Sequence, residues 1–229
     1  MIFKELEQEN NLRPENLPKF IDYGEIDKMA QEDRRNTAYD LMDEYDLTPE
    51  EAEILVRYFD DFDLTLDNLI GKRVLDVGSG PGDFKKAVNK LGEKFNIINF
   101  DRGIVWEDAM DVKGDALNMP FRDESFDFVL AHGSVPLMYA TRGKHNLISP
   151  TLKEMFRIVR RGGVLKVFPV AIDNPGYPEE SKEYAEMERE VLKGLNVIHG
   201  QSPEIKAKIS EVKDPDQPAV RRYLLEVFR

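Results

Sequence analysis

Residues 74–84 read Val-Leu-Asp-Val-Gly-Ser-Gly-Pro-Gly-Asp-Phe, and this stretch constrains the fold more than any other. Its apolar run has the character of a strand buried on both faces. Asp76 interrupts the run, Gly78, Gly80 and Gly82 follow at alternate positions, and then Phe84, Ala87, Val88 and Leu91 fall at helical spacing. The pattern predicts strand, tight turn and helix. Glycine permits positive φ and removes Cβ, so a ligand can approach such a turn closely. The helix N-terminus beside it offers unpaired N–H groups to a polar or anionic ligand. The next apolar run, Ile97-Ile98-Asn99-Phe100, ends at Asp101. That is close to the ~20-residue spacing at which an acid accepts ribose hydroxyls in nucleotide-binding βαβ units.

Around this centre the chain alternates strand and helix from residue 71 onward, which implies a parallel sheet with right-handed crossovers. Strands are expected at 73–77, 96–100, near 112–113, at 126–131 and at 164–170. Ser149-Pro150 opens a helix that Gly162-Gly163 should stop, and a further helix is expected over 178–192, stopped by Gly194. Residues 174–178, rich in Pro and Gly, read as a loop. Residues 205–212 and 220–228 read as a final strand pair, with Asp214-Pro215-Asp216-Gln217-Pro218 as the turn. Before residue 71, residues 1–24 read as irregular and 26–45 as a helix. A second helix has a strong start at Thr48-Pro49-Glu50-Glu51, where Thr48 caps, Pro49 takes the first position and Glu51 completes a capping box. These N-terminal helices are short and polar, so residues 1–70 are expected to lie as a cap or lid on a main domain of residues 71–229.

Charge divides the chain at the same point. Residues 1–70 carry 7 Lys and Arg against 20 Asp and Glu, while the rest carries 25 against 24. An acidic cap argues against phosphate-backbone binding, hence against nucleic acid as the partner. These acids read either as a solvated face or as a selector for a cationic partner. The chain has no cysteine, which excludes disulfides, thiolate metal sites and a cysteine nucleophile. No apolar run reaches the length needed to span a membrane, and no signal peptide precedes the first helix, so the cytoplasm is the expected location. The three histidines show no metal-ligand spacing.

Three blocks carry a resemblance. Asp76-x-Gly78-x-Gly80-x-Gly82 resembles the first motif of class I S-adenosylmethionine-dependent methyltransferases, of the type 11-like kind. It differs from the Gly-x-Gly-x-x-Gly of nicotinamide enzymes, because Asp83 stands where the third glycine would be. Gly114-Asp115-Ala116-Leu117-Asn118-Met119-Pro120-Phe121 with Ser125-Phe126-Asp127-Phe128-Val129 forms the second block, and residues 152–165 the third. The resemblance covers residues 71–229. It implies a Rossmann-like α/β sheet of order 3-2-1-4-5-7-6 with strand seven antiparallel. One departure stands out: 12 residues separate Asp101 from Gly114, too few for a full helix and a third strand.

The resemblance also implies S-adenosylmethionine as the cofactor. Asp76, Gly78, Ser79, Gly80, Gly82, Asp101, Arg102, Asp115, Ala116 and His132 are the cofactor-binding candidates it supplies. Gly78, Gly80 and Gly82 would meet the methionine part, and Asp76 would assist at the amino group or simply hold the turn. Asp101 would accept both ribose hydroxyls, or be an ordinary strand-end acid. Asp115 and the Ala116 N–H would read the adenine, or Asp115 would be a turn residue. Ile104 or Trp106 would cover the adenine face, or pack in the core. His132 follows the fourth main strand, at the edge where ligands bind in such sheets, and is the candidate catalytic acid/base or acceptor-orienting residue; packing or capping is its alternative. Arg142, Lys144 and Tyr139 are expected to shape an acceptor pocket.

Methyl transfer from a sulfonium needs positioning and exclusion of water more than a catalytic triad. The Asp/Asn-Pro-Pro-aromatic block of amino-directed nucleic-acid methyltransferases is absent, and Ala131-His132-Gly133-Ser134-Val135-Pro136 stands in its place. The expected acceptor is therefore a small molecule, at oxygen, nitrogen or carbon, or else a protein. Two other readings remain open at this level. One is a non-catalytic protein that binds S-adenosylmethionine or S-adenosylhomocysteine. The other is an aminopropyl-transferase-like enzyme on the same scaffold.

Overall fold

The computed structural model describes residues 17–92, 95–103, 110–174, 176 and 181–229. In chain order the elements are β1 (Ile21–Asp27), α1 (Gln31–Tyr45), α2 (Pro49–Phe62), α3 (Leu66–Leu69), β2 (Arg73–Val77), α4 (Asp83–Lys90), β3 (Asn96–Asp101), β4 (Val112–Lys113) and β5 (Phe126–His132). After these come α5 (Leu137–Ala140), α6 (Ile148–Arg157), β6 (Val159–Phe168), β7 (Ile172–Asp173), α7 (Ser181–Gln201), β8 (Lys206–Lys213) and β9 (Arg221–Phe228).

One sheet runs in the order β4-β3-β2-β5-β6-β9-β8-β1, with β7 pairing β9. All pairings are parallel except those of β9, which is antiparallel to β6, β7 and β8. The expected order is present unbroken from β4 to β8. What the sequence reading missed is β1. Residues 21–27, expected as irregular chain running into a helix, pair in parallel with β8 and extend the sheet by one strand at its edge. The polar sequence Ile-Asp-Tyr-Gly-Glu-Ile-Asp hides it, because an edge strand with one solvated face buries few apolar side chains. Helix α1 consequently starts at Gln31.

The capping box at the start of α2 forms as expected. Thr48 Oγ1 accepts from the Glu51 N–H at 3.2 Å, and Glu51 Oε2 accepts from the Thr48 N–H at 2.8 Å. Two glycine readings need correction. Gly162 and Gly163 do not end the preceding helix. That helix, α6, stops at Arg157, where Arg229 Nη1 donates to the carbonyls of Arg157 and Val159 at 2.9 and 3.0 Å. The glycines lie inside β6, beside its register shift against β5, and a Cβ on Gly163 would stand 2.7 Å from the Asp127 carbonyl oxygen. Gly194 likewise does not stop α7, which continues to Gln201. A Cβ there would lie 3.2 Å from Ser149 Cα, so this glycine lets α7 pack closely on α6.

The core has two halves, one on each face of the sheet. One joins the sheet to α6 and α7 through residues such as Leu75, Leu152, Met155 and Val191. The other joins it to α2 and α4 through Val74, Phe84, Leu130, Phe62 and Leu55. Residues on β2 and β5 alternate between these halves: Val74 and Leu130 belong to the α2 side, Leu75 and Ala131 to the α6 side. That alternation decides where Asp76 and His132 point.

Candidate functional site

The carboxyl ends of β2, β3 and β5 form a cleft, as expected where an open α/β sheet changes winding direction. A cavity of about 310 Å³ sits there, lined by Gly78, Gly80, Asp101, Arg102, Ala116 and Ser134, and by Tyr139 and Arg142. It falls at the small end of the ~300–1,000 Å³ range of ligand pockets.

Gly78 and Gly80 differ in what they make possible. Both have positive φ, +73° and +54°. A Cβ on Gly78 would collide with Ser134 Cβ at 2.4 Å, so this glycine exists to let the β5 loop approach β2. Ser134 fills the space and donates its hydroxyl to the Val77 carbonyl at 2.7 Å. At Gly80 nothing lies within 4 Å of a would-be Cβ. Its open side is cavity. Gly82, also at positive φ, precedes the first residue of α4.

Asp101 ends β3 with its carboxylate turned toward this turn. Oδ2 accepts from the Gly80 N–H at 3.2 Å and Oδ1 from the Gly103 N–H at 3.0 Å. Each oxygen keeps a second lone pair. Arg102 and Ala116 line the cavity beside it. Asp115 stands between the lining residues Gly114 and Ala116, but its side chain turns back. It accepts from the Leu117 N–H at 3.0 Å and faces Arg102 at 3.9 Å. Ser79 has a buried hydroxyl with no hydrogen-bond partner. Tyr139 and Arg142 line the cavity as the sequence suggested, whereas Lys144 is not among the lining residues. Ile104 and Trp106 lie outside the described residues.

Asp76 and His132 are not brought to the cavity wall. Both face the α2 side of the sheet. Asp76 is fully buried, and both of its oxygens accept from the Tyr58 hydroxyl, at 3.1 and 3.2 Å. Burial pushes its carboxyl up to about 7; the Tyr58 hydrogen bond pulls it down, and the charge of Asp101 pushes it further up. Tyr58 itself stays protonated, its hydroxyl raised well above the usual value by burial and by Asp76. The same ring stacks on Phe84 at 4.0 Å and on His132 at 4.6 Å. His132 is further enclosed by Phe62 and Phe168. Its Nε2 lies 2.6 Å from Asp61 Oδ2, and Asp61 is also paired with Lys28. Burial opposes the charge on Asp61, but the His132 hydrogen bond and the Lys28 charge hold its carboxyl below the ordinary value.

Tyr58 and Asp61 are therefore site-adjacent residues that the sequence did not announce. Tyr58 reads there only as one more apolar position of α2, and Asp61 as one of many acids. Among the described residues no group of three His, Cys, Asp or Glu is placed to hold a metal ion, and no helix is long and apolar enough to cross a membrane.

Residues 75–167 match the family model described as a methyltransferase domain. This span contains all three blocks on which the resemblance is drawn, and the match bears that resemblance out. Among curated proteins, the chain is 32% identical over 109 residues to a demethylmenaquinone methyltransferase of Roseiflexus castenholzii, covering 43% of each chain. It is 27% identical over 167 residues to one of Corynebacterium urealyticum, covering 69% of this chain and 68% of that one. The match thus spans less than half the length of the first of these relatives. Among solved structures, the chain is similar to an S-adenosylmethionine-dependent methyltransferase from Methanosarcina mazei, at 15% identity and a TM-score of 0.45, covering 71% of this chain and 95% of that one.

Proposed function

We propose that this protein transfers a methyl group from S-adenosylmethionine to a small-molecule oxygen, nitrogen or carbon. The observation that carries this reading is the Asp101 carboxylate, hydrogen-bonded to the N–H of Gly80, a cavity-lining glycine with nothing within 4 Å of a would-be Cβ. The residues present suit the donor. A backbone turn that lines the cavity at Gly78 and Gly80 accepts a close ligand, and a carboxylate with spare lone pairs suits paired hydroxyls. When bound, the donor supplies a methyl group already activated on a sulfonium.

What the chain contributes is positioning. The Gly78–Gly80 backbone and Asp101 would hold the donor, with Arg102 and Ala116 beside them, while Asp115 holds the turn that carries Ala116. Fixing two reactants in line and excluding water supplies much of the barrier reduction in such a displacement. Met138, Tyr139 and Arg142 also line the cavity and would bound the acceptor. In this arrangement His132 is a positioning residue, because its ring is packed between Tyr58 and Phe168 while the next residues, Gly133 and Ser134, line the cavity. Asp76 acts through Tyr58 in the same way, tying α2 to the turn. Relatives named for demethylmenaquinone support a small-molecule acceptor. A cysteine-free sequence suits a reducing compartment and supports the cytoplasm as its setting.

Calorimetry with S-adenosylmethionine and S-adenosylhomocysteine tests this. Both should bind, and Asp101→Ala should weaken both by ~1–3 kcal/mol, the cost of losing hydrogen bonds to a buried ligand. Failure of the wild-type protein to bind either compound removes the proposal.

A further inference from the structure

A second and larger cavity, about 690 Å³, opens at the same edge of the sheet, between α1, α2 and the carboxyl ends of β6 and β8. Asp61, which is bonded to His132, lines it, whereas Gly133 and Ser134, the residues after His132, line the glycine cavity. Its ionic groups are layered. Asp60, Asp61 and Asp214 have side chains only 4–6% exposed, and each is already consumed by a partner. Asp60 takes the Met29 N–H at 3.1 Å and Arg34 at 3.2 Å, and Asp214 faces Arg34 and Arg222 at 3.7 and 3.5 Å. The cations stand outside them. Arg34 and Arg222 are 22% and 25% exposed, and Arg57, 48% exposed, is ion-paired among the described residues with Glu53, an exposed acid that also lines the cavity. Arg35 is exposed, and among the described residues it has no ion-pair or hydrogen-bond partner.

This placement is not what the local composition would produce by chance. Residues 1–70 contain 7 Lys and Arg, and Lys28, Arg34, Arg35 and Arg57 all line this cavity. An otherwise acidic segment has gathered its cations in one hollow. Buried carboxylates beneath Arg34 and Arg222 fix those guanidinium planes, and a fixed guanidinium is a fork for carboxylate or phosphate. Ala38, Tyr39, Met42, Val56 and Phe168 supply an apolar wall, and Tyr39 is 56% exposed although it is a large aromatic residue.

We propose that this hollow binds a molecule with an apolar, ring-sized body and one anionic group, a carboxylate or a phosphate, read by Arg35 and Arg57. The site goes beyond the proposed function: among the described residues none lines both cavities, so a ligand here would stand apart from the donor and from the acceptor it methylates.

The test uses the full chain and three probes of one shape: 1-naphthoate, 1-naphthyl phosphate and the uncharged 1-naphthalenemethanol, titrated by calorimetry at low salt. At least one anion should bind tenfold or more tightly than the alcohol. Arg35→Gln with Arg57→Gln should remove that preference, and Tyr39→Ala should weaken all three probes. Stronger binding of naphthoate assigns a carboxylate ligand, and stronger binding of the phosphate assigns a phosphate. Equal affinity for anion and alcohol, no binding of any probe, or an unchanged anion preference in the double arginine variant overturns the inference. S-adenosylmethionine affinity, measured on the same variants, should not change. Its loss in the wild-type protein would count against the donor reading and not against this site.

Discussion

Asp76→Asn is the substitution whose outcome the structure fixes most tightly. The carboxyl is fully buried and raised to about 7, against ~3.9 for an unperturbed Asp. The folded protein therefore binds a proton more tightly than the unfolded chain between these values. In that window native protein holds more protons than unfolded protein, so stability falls as pH rises. Below about pH 4 the group is neutral in both states and contributes nothing. Above about pH 7 the native state carries a buried carboxylate at a cost of about 4 kcal/mol, from three units at 1.36 kcal/mol each. Asparagine keeps an oxygen for the Tyr58 hydroxyl and removes the ionisation. The expected result is a gap between variant and wild type that opens from about pH 4 and is complete above pH 7, with the variant gaining by up to about 4 kcal/mol relative to its offset at low pH. Urea unfolding of both proteins at pH 4.5, 6, 7 and 8 measures it. A gap that stays constant across this range would refute the reasoning, and a variant that loses ground as pH rises would show that the site prefers the charged form.

The two turn glycines should respond differently to alanine. Gly78→Ala drives a Cβ into Ser134 at 2.4 Å as well as straining a positive φ, so it should destabilise folding by several kcal/mol in urea unfolding. Gly80→Ala meets no protein atom and should cost only ~1–2 kcal/mol in stability, yet reduce S-adenosylmethionine affinity by calorimetry, since its Cβ enters the cavity. Equal stability losses would contradict the geometry. In the sheet, Lys166 is buried and bridges Glu226 Oε1 and the Phe62 carbonyl, both at 2.7 Å. Lys166→Met should lower stability by ~3–5 kcal/mol by leaving Glu226 buried, somewhat less because Lys208 stands 3.7 Å away, and Glu226→Leu in the same chain should recover most of the loss. No recovery in the double variant would mean that the bond to Phe62 matters more than the ion pair.

The legible part of the sequence was the part set by backbone. Gly78, Gly80 and Asp101 were readable because a turn at positive φ and an acid at the tip of the next strand leave fixed spacings in the chain. β2, β3, β5, β6 and β9 are readable because burial forces apolar runs, and β8 by its alternation, whereas the two-residue β7 leaves no such signal. Side-chain direction was not readable at the same level. Asp76 and His132 lie at the expected strand ends, but strand alternation turns both toward α2, and only the register of β2 and β5 decides that. Gly162, Gly163 and Gly194 were read as helix stops because glycine serves both there and at close contacts, and only the neighbouring element tells the two apart. β1 left no apolar signature because its pairing is made by backbone on a half-solvated edge.

The acidity of the first 70 residues takes on a different meaning once α2 is seen in place. Its last turn makes a run of contacts with the rest of the chain: Asp60 with the Met29 N–H and Arg34, Asp61 with His132 and Lys28, and the Phe62 carbonyl with Lys166. One turn earlier, Tyr58 holds Asp76. A solvated acidic face would leave these carboxylates in water, with little energy in any one pairing. Here the Asp60 and Asp61 side chains are only 6% and 4% exposed, and removing a partner would strand a charge largely out of water. Part of the acidity is therefore internal, and it fastens the N-terminal segment to both the strand that carries the glycine turn and the strand that ends at His132. A segment held by buried pairs at two points of the ligand edge behaves as a wall of the site, so a chain lacking it should lose the shape of both cavities.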